Sequence, residues 1–227
     1  MKNTLELYEL IETEIKNIEY PRNPKNLYKP IEYVLSIGGK RIRPILLLLS
    51  HQLFKEDISD SVKPSIAIEI FHNFTLLHDD IMDNASLRRG KETVHQKWNN
   101  NTAILSGDTM LVQSFKILSC VKLEYLSRVI TVFNKAAEEV CEGQQLDMDF
   151  ENRDDVSISQ YLKMIEYKTA VLLAASLKIG AIIGGASKED CLNMYEFGLN
   201  MGIVFQLKDD LLDTYGDPQS FGKKLGG

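Results

Sequence analysis

Cysteine is scarce: the 227 residues hold three, Cys120, Cys141 and Cys191, far apart, odd in number and without a CxxC pair. This excludes a disulfide framework and a thiolate zinc site, and it points to a reducing, cytoplasmic home. Apolar runs of membrane-spanning length are also missing. The N-terminal MKNTLELYELIETEIKNIEYPRN carries charges every few residues where a signal peptide would have an apolar centre, and TAVLLAASLKIGAIIGG is broken by Lys178 and closes on glycines. Neither a signal peptide nor a membrane span is expected. Period-2 alternation of β-branched residues is sparse, and there is no low-complexity segment, linker or solenoid repeat. No spacing suggests a Ser/His/Asp or Cys/His nucleophile arrangement.

What is present is an ordinary globular balance, 44% hydrophobic and 26% charged, with a formal net charge of -6 that argues against a nucleic-acid surface. Helix-period segments follow one another with turn signals between them, which predicts an all-α fold in one domain over residues 1–227. Helices are expected over residues 4–18 and 25–36, then from Pro44, whose fixed φ suits a first turn. Residues 61–82 are apolar nearly all round, as in a helix at the centre of a protein. Further helices are expected over 102–118 and 127–146, from a Ser157 cap to residue 183, and from a Ser187 cap to residue 213.

Two acidic clusters close apolar helices: Asp79, Asp80 and Asp83 in DDIMD, and Asp209, Asp210 and Asp213 in DDLLD. Residues four apart share a helix face, so Asp79 lies above Asp83 and Asp209 above Asp213. Such acids repel each other unless a cation neutralises them, and paired carboxylates suit Mg²⁺, which completes its shell with water and phosphate oxygens. One such cluster reads equally well as a solvated acidic helix end; two copies favour the metal. Lys40, Arg41 and Arg43 lie on the glycine turn GGKRIRP, and Arg88, Arg89 and Lys91 follow the first cluster. Alone these read as solvated loop charges; beside the aspartates they fit phosphate binding. Lys168, Thr169 and Gln206 interrupt apolar helices and need polar partners if buried. His51, His78 and His95 read as core histidines, and Asp108 and Asp147 as structural hydrogen-bond partners.

GGKRIRP, His72 in EIFHNFTLLHDDIMD, the RRG at Arg88 to Gly90, GDTML, CEGQQLD, Lys168-Thr169, FQLKDDLLD and FGKKLGG together resemble the trans-isoprenyl diphosphate synthases over most of the chain. The resemblance implies about ten helices around a deep apolar cavity, both DDxxD motifs at its mouth, and a homodimer. It implies Mg²⁺ held by Asp79, Asp83 and Asp209, supported by Asp80, Asp210 and Asp213. Arg88, Lys168 and Lys223 would hold an allylic diphosphate; Lys40, Arg43, His72 and Arg89 would hold isopentenyl diphosphate. Thr169 and Gln206 would ease an allylic cation, and Phe71, Phe74 and Thr75 would limit product length to fifteen or twenty carbons. A terpene cyclase would carry an Asn/Ser/Glu metal motif in place of DDLLD, and a non-catalytic subunit would lack one or both acidic motifs. Relatives continue past FGKKLGG, so the chain is expected to lack C-terminal helices.

Overall fold

The computed structural model describes residues 1–215. Among these residues ten α-helices follow in order: α1 (Thr4–Lys16), α2 (Lys25–Ser36), α3 (Ile42–Gln52), α4 (Ser59–Met82), α5 (Val94–Lys97), α6 (Asn100–Leu118), α7 (Leu123–Phe150), α8 (Ile158–Ile165), α9 (Val171–Gly184) and α10 (Lys188–Tyr215). Local chemistry sets several starts. Asn3 and Glu6 form a capping box on α1, Ser157 and Gln160 form one on α8, and the Ser187 hydroxyl accepts from the Asp190 N–H at 3.0 Å. α3 begins two residues before Pro44, which therefore falls where an N–H still lacks an intrahelical partner.

α4 lies at the centre, packed on α3 and α6. Ile68, Ile70, Phe71 and Leu77 are fully buried, each contributing about 1.5–3 kcal/mol through loss of apolar surface to water. α9 is covered by α3, α7 and α10. Its packing against α10 is close because Gly198 and Gly202 face Ala174 and Ala170; a Cβ on Gly198 would come 2.6 Å from the Ala174 Cα. The stretch Ile158–Gly184 is long and apolar enough to cross a membrane, but 78% of its most apolar window is already buried inside the fold.

Two local features depart from expectation. The loop after DDIMD contains a short antiparallel pairing of β1 (Leu87–Arg88) with β2 (Lys91–Glu92), turned by Arg89 and Gly90 at positive φ. The expected single helix from Ser157 to residue 183 is interrupted by a π-helical turn, Glu166–Ala170. One extra residue in a turn rotates the side chains around it, and here that turn contains Lys168 and Thr169. Gly143 of α7 packs directly on it. A Cβ there would lie 2.7 Å from both the Lys168 Cα and the Tyr167 carbonyl carbon, contacts that backbone cannot yield without moving. Gly143→Ala is therefore expected to cost about 1–3 kcal/mol in urea unfolding through overpacking. A neutral result would show that the π turn can slide.

Candidate active site

A cavity of about 780 Å³ opens between the start of α3, the C-terminal half of α4, the hairpin, α7, the π turn and α10. Lys40, Arg43, His72, Arg88 and Arg89 line it, as do Asp79, Lys168, Thr169, Gln206 and Asp209, with Phe74, Thr75, Leu76, Val140 and Leu172 among its apolar wall. Residues from the two distant acidic clusters thus share one cavity.

The basic residues divide into two groups with different partners. In the first, an Arg43 Nη1–H donates to His72 Nε2 at 3.0 Å. A guanidinium only donates, so this nitrogen of His72 is the acceptor and the ring is neutral. Burial, reinforced by Arg43 and Arg89, holds the His72 pKa well below the usual histidine value. Burial also pushes Arg43 down to about 10, and its Nε has no hydrogen-bond partner among the described residues. Arg89 lies against Gly39, where a Cβ would meet its Nη1 at 2.6 Å. Glu69 also lines this end, but it is committed elsewhere. Arg41, the neighbour of Lys40, turns inward with its side chain fully buried and binds Glu12 and Glu69, each at 2.7 Å, and the Leu35 carbonyl at 2.8 Å. Asn73 donates to Glu69 Oε1 at 2.9 Å. Sequence alone sets Lys40, Arg41 and Arg43 on one turn; the fold makes Arg41 internal.

In the second group, Arg88 places Nε and Nη2 each 2.8 Å from Asp80 Oδ1, and Nη2 3.8 Å from Asp79 Oδ2. Asp80 is buried, and burial raises its pKa despite the opposing pull of Arg88. Lys168 Nζ lies 2.5 Å from Asp147 Oδ2 and 3.7 Å from Asp79 Oδ1. Burial works against the ammonium, but Asp79 and Asp147 outweigh it and raise its pKa. Burial raises the Asp83 pKa first, and the nearby Asp79 adds to it. Asp83 does not line the cavity, Asp213 lies near the end of α10, and Lys223 is outside the described residues.

Thr169 Oγ1–H donates to Gln206 Oε1 at 2.9 Å, and Gln206 Nε2–H donates to Asp210 Oδ1 at 2.8 Å. The Tyr161 hydroxyl donates to Asp210 Oδ2. Tyr161 was not singled out by sequence; the available signal is its place on the same helical stretch as Thr169, two turns earlier. Phe74 lies in the wall, its ring centroid 5.5 Å from that of Phe71 in a tilted contact and 4.8 Å from that of His78 edge to face, while Phe71 sits behind it in the core. His51 is buried and bonds Ser61 and the Asp57 carbonyl, as expected for a core histidine; His78 Nε2 has the expected kind of partner in the Ile104 carbonyl at 3.2 Å, but the ring is half-buried and lines the cavity instead of lying in the core.

Among the described residues no three His, Cys, Asp or Glu side chains converge as a closed metal cage. The donor set still fits Mg²⁺, which takes hard oxygens from one or two carboxylates and leaves the remaining positions to water and phosphate. Asp79 and Asp209 present such oxygens to the cavity, whereas both oxygens of Asp210 and one of Asp80 are already engaged.

The Polyprenyl synthetase family profile matches residues 24–227. A geranylgeranyl diphosphate synthase of Methanosarcina mazei is 45% identical over 205 residues, covering 89% of this chain and 63% of its own length. A short chain isoprenyl diphosphate synthase of Methanocaldococcus jannaschii is 41% identical over 217 residues, covering 95% of this chain and 65% of its own length. The chain thus spans somewhat less than two thirds of these two relatives. A crystal structure of a geranylgeranyl pyrophosphate synthase superposes with a TM-score of 0.96 at 48% identity, over 100% of this chain and 69% of the other. The helices, the shared cavity and these matches agree: the chain belongs to the polyprenyl synthetase family.

Proposed function

We propose that the protein is a head-to-tail prenyltransferase that joins an allylic diphosphate to isopentenyl diphosphate. The observation that carries this reading is the meeting, in one partly apolar cavity, of Asp79 and Asp209 with two separate sets of side chains built on cations, the second including the neutral His72. One set, Arg88 and Lys168 beside Asp79, suits an allylic diphosphate. The other, Lys40, Arg43, His72 and Arg89, suits the diphosphate of isopentenyl diphosphate.

Mg²⁺ bound by Asp79 and Asp209, with Asp80, Asp83 and Asp213 in support while Asp210 is held by Tyr161 and Gln206, would neutralise the diphosphate and draw off its negative charge. In the reaction the allylic C–O bond breaks and its electron pair leaves with the diphosphate. Arg88 and Lys168 donate to the oxygens that gain charge. Thr169 and Gln206 turn their dipoles toward the allylic cation. The double bond of isopentenyl diphosphate attacks it, forming the new C–C bond, and a proton then passes to the released diphosphate. No protein nucleophile is required. A homodimer in the cytoplasm completes the proposal.

The test is incubation with Mg²⁺, an allylic diphosphate and labelled isopentenyl diphosphate, with a second arm in excess chelator. Labelled prenyl diphosphate only in the first arm supports the proposal; its absence from both overturns it.

Product length follows from the cavity wall. Phe74 precedes Asp79 by five residues, so it lies about 7–8 Å deeper along α4, where a growing tail would run. Its ring leaves room for a short tail, fifteen or twenty carbons with twenty favoured. Phe74→Ala is expected to shift dephosphorylated products to longer prenols on chromatography, and an unchanged distribution would remove Phe74 as the stop.

A further inference from the structure

Tyr161 and Asp210 lie outside the cavity wall, yet they are joined to two residues that form it. The direction of each hydrogen bond in this chain is dictated by chemistry. An ionised carboxylate only accepts, so Asp210 requires the Tyr161 O–H and a Gln206 N–H to point at it. Gln206 must therefore direct Nε2 to Asp210 and Oε1 the other way, to Thr169. A carboxamide oxygen also only accepts, so Thr169 has to spend its single hydroxyl proton on Gln206. Its own oxygen then keeps its lone pairs and no proton for the cavity.

We infer that Tyr161 is a positioning residue which, by holding Asp210, sets the polarity of Gln206 and Thr169 so that oxygen rather than N–H or O–H faces the reacting carbons. The role rests on the prenyl-transfer reading, because only a reaction that develops positive charge gains from that orientation. Without the tyrosine hydroxyl the Asp210 carboxylate can rotate out of reach of Gln206 Nε2; only then does nothing oblige the amide to keep its N–H toward Asp210, so that Gln206 can turn over and Thr169 is free to present its proton. Preorganised dipoles would then become dipoles that must reorient as charge appears, which is the costly arrangement.

The test uses Tyr161→Phe and two probes, measured by calorimetry at fixed Mg²⁺. One is an allylic diphosphate analogue with a tertiary ammonium nitrogen in place of C3; the other is its neutral hydrocarbon isostere. Wild type is expected to prefer the cationic probe, and Tyr161→Phe to lose about tenfold of that preference while the neutral probe changes less than about twofold, the size expected for one hydrogen bond acting on a charge. In a Thr169→Val background the same change should alter the preference less than about twofold, because the last link is already cut. An unchanged preference in Tyr161→Phe, equal losses for both probes, or a full loss in the Thr169→Val background would each overturn the polarity role. Failure of wild type to bind either probe would instead overturn the prenyl-transfer reading, and the inference with it.

Discussion

Asp79→Ala and Asp209→Ala are each expected to lower turnover by about 10²- to 10³-fold, the loss typical of removing one preorganised electrostatic contact at a reacting centre. Far-ultraviolet circular dichroism should not change. Asp79 lies at the C-terminal end of α4 and Asp209 on α10, both on the cavity and neither committed to a short side-chain hydrogen bond among the described residues; the cations nearest Asp79 there stand at 3.7 and 3.8 Å. Lys168 and Arg88 keep their closer partners, Asp147 at 2.5 Å and Asp80 at 2.8 Å, when Asp79 is removed. The fold therefore does not depend on Asp79. If both variants lost helicity along with turnover, the acids would be structural and the diphosphate assignment would fail. If turnover fell by less than about threefold, Asp79 and Asp209 would lie outside the chemistry altogether.

Arg41→Ala is expected to destabilise the protein by about 3–5 kcal/mol, the range for breaking a buried ion pair from one side. Its side chain is fully buried, and its removal leaves Glu69 inside with only Asn73 as a side-chain partner among the described residues. Arg41 also stands at the N-cap of α3 with φ 49°, a left-handed conformation disfavoured for an L-residue and held here by three side-chain contacts. Losing those contacts releases the turn that carries Lys40 and Arg43. Urea unfolding is the measurement. A loss under about 1 kcal/mol would mean that Glu69 simply takes up a proton or finds water, and that the network does not hold the turn.

The division between what the sequence determines and what packing determines falls at the range of the interaction. Apolar periodicity and caps are local, and they were readable: α2 spans Lys25–Ser36 as expected, α4 ends at Met82, and Ser157 and Ser187 cap the helices that follow them. The i,i+4 spacing of the aspartates is local in the same way. So were the polar interruptions at Lys168, Thr169 and Gln206, because a polar group within an apolar run must find a partner wherever the helix goes.

What stayed hidden depends on residues far along the chain. Arg41 and Arg43 are two positions apart on one turn, yet Arg41 is drawn inward by Glu12 and Glu69 and Arg43 is left facing His72 in the cavity. Asp209 and Asp210 are adjacent in one motif, but Tyr161 claims the second and leaves the first on the cavity. The π turn costs α-helical hydrogen bonding and offers no sequence period of its own, and it is seated against the backbone-close contact at Gly143. Sequence thus determined which residues are helical and which polar groups need partners. Tertiary structure decided which partner each one meets, because a short-range force between charges or hydrogen-bonding groups acts only after the chain has brought them within a few ångströms of each other.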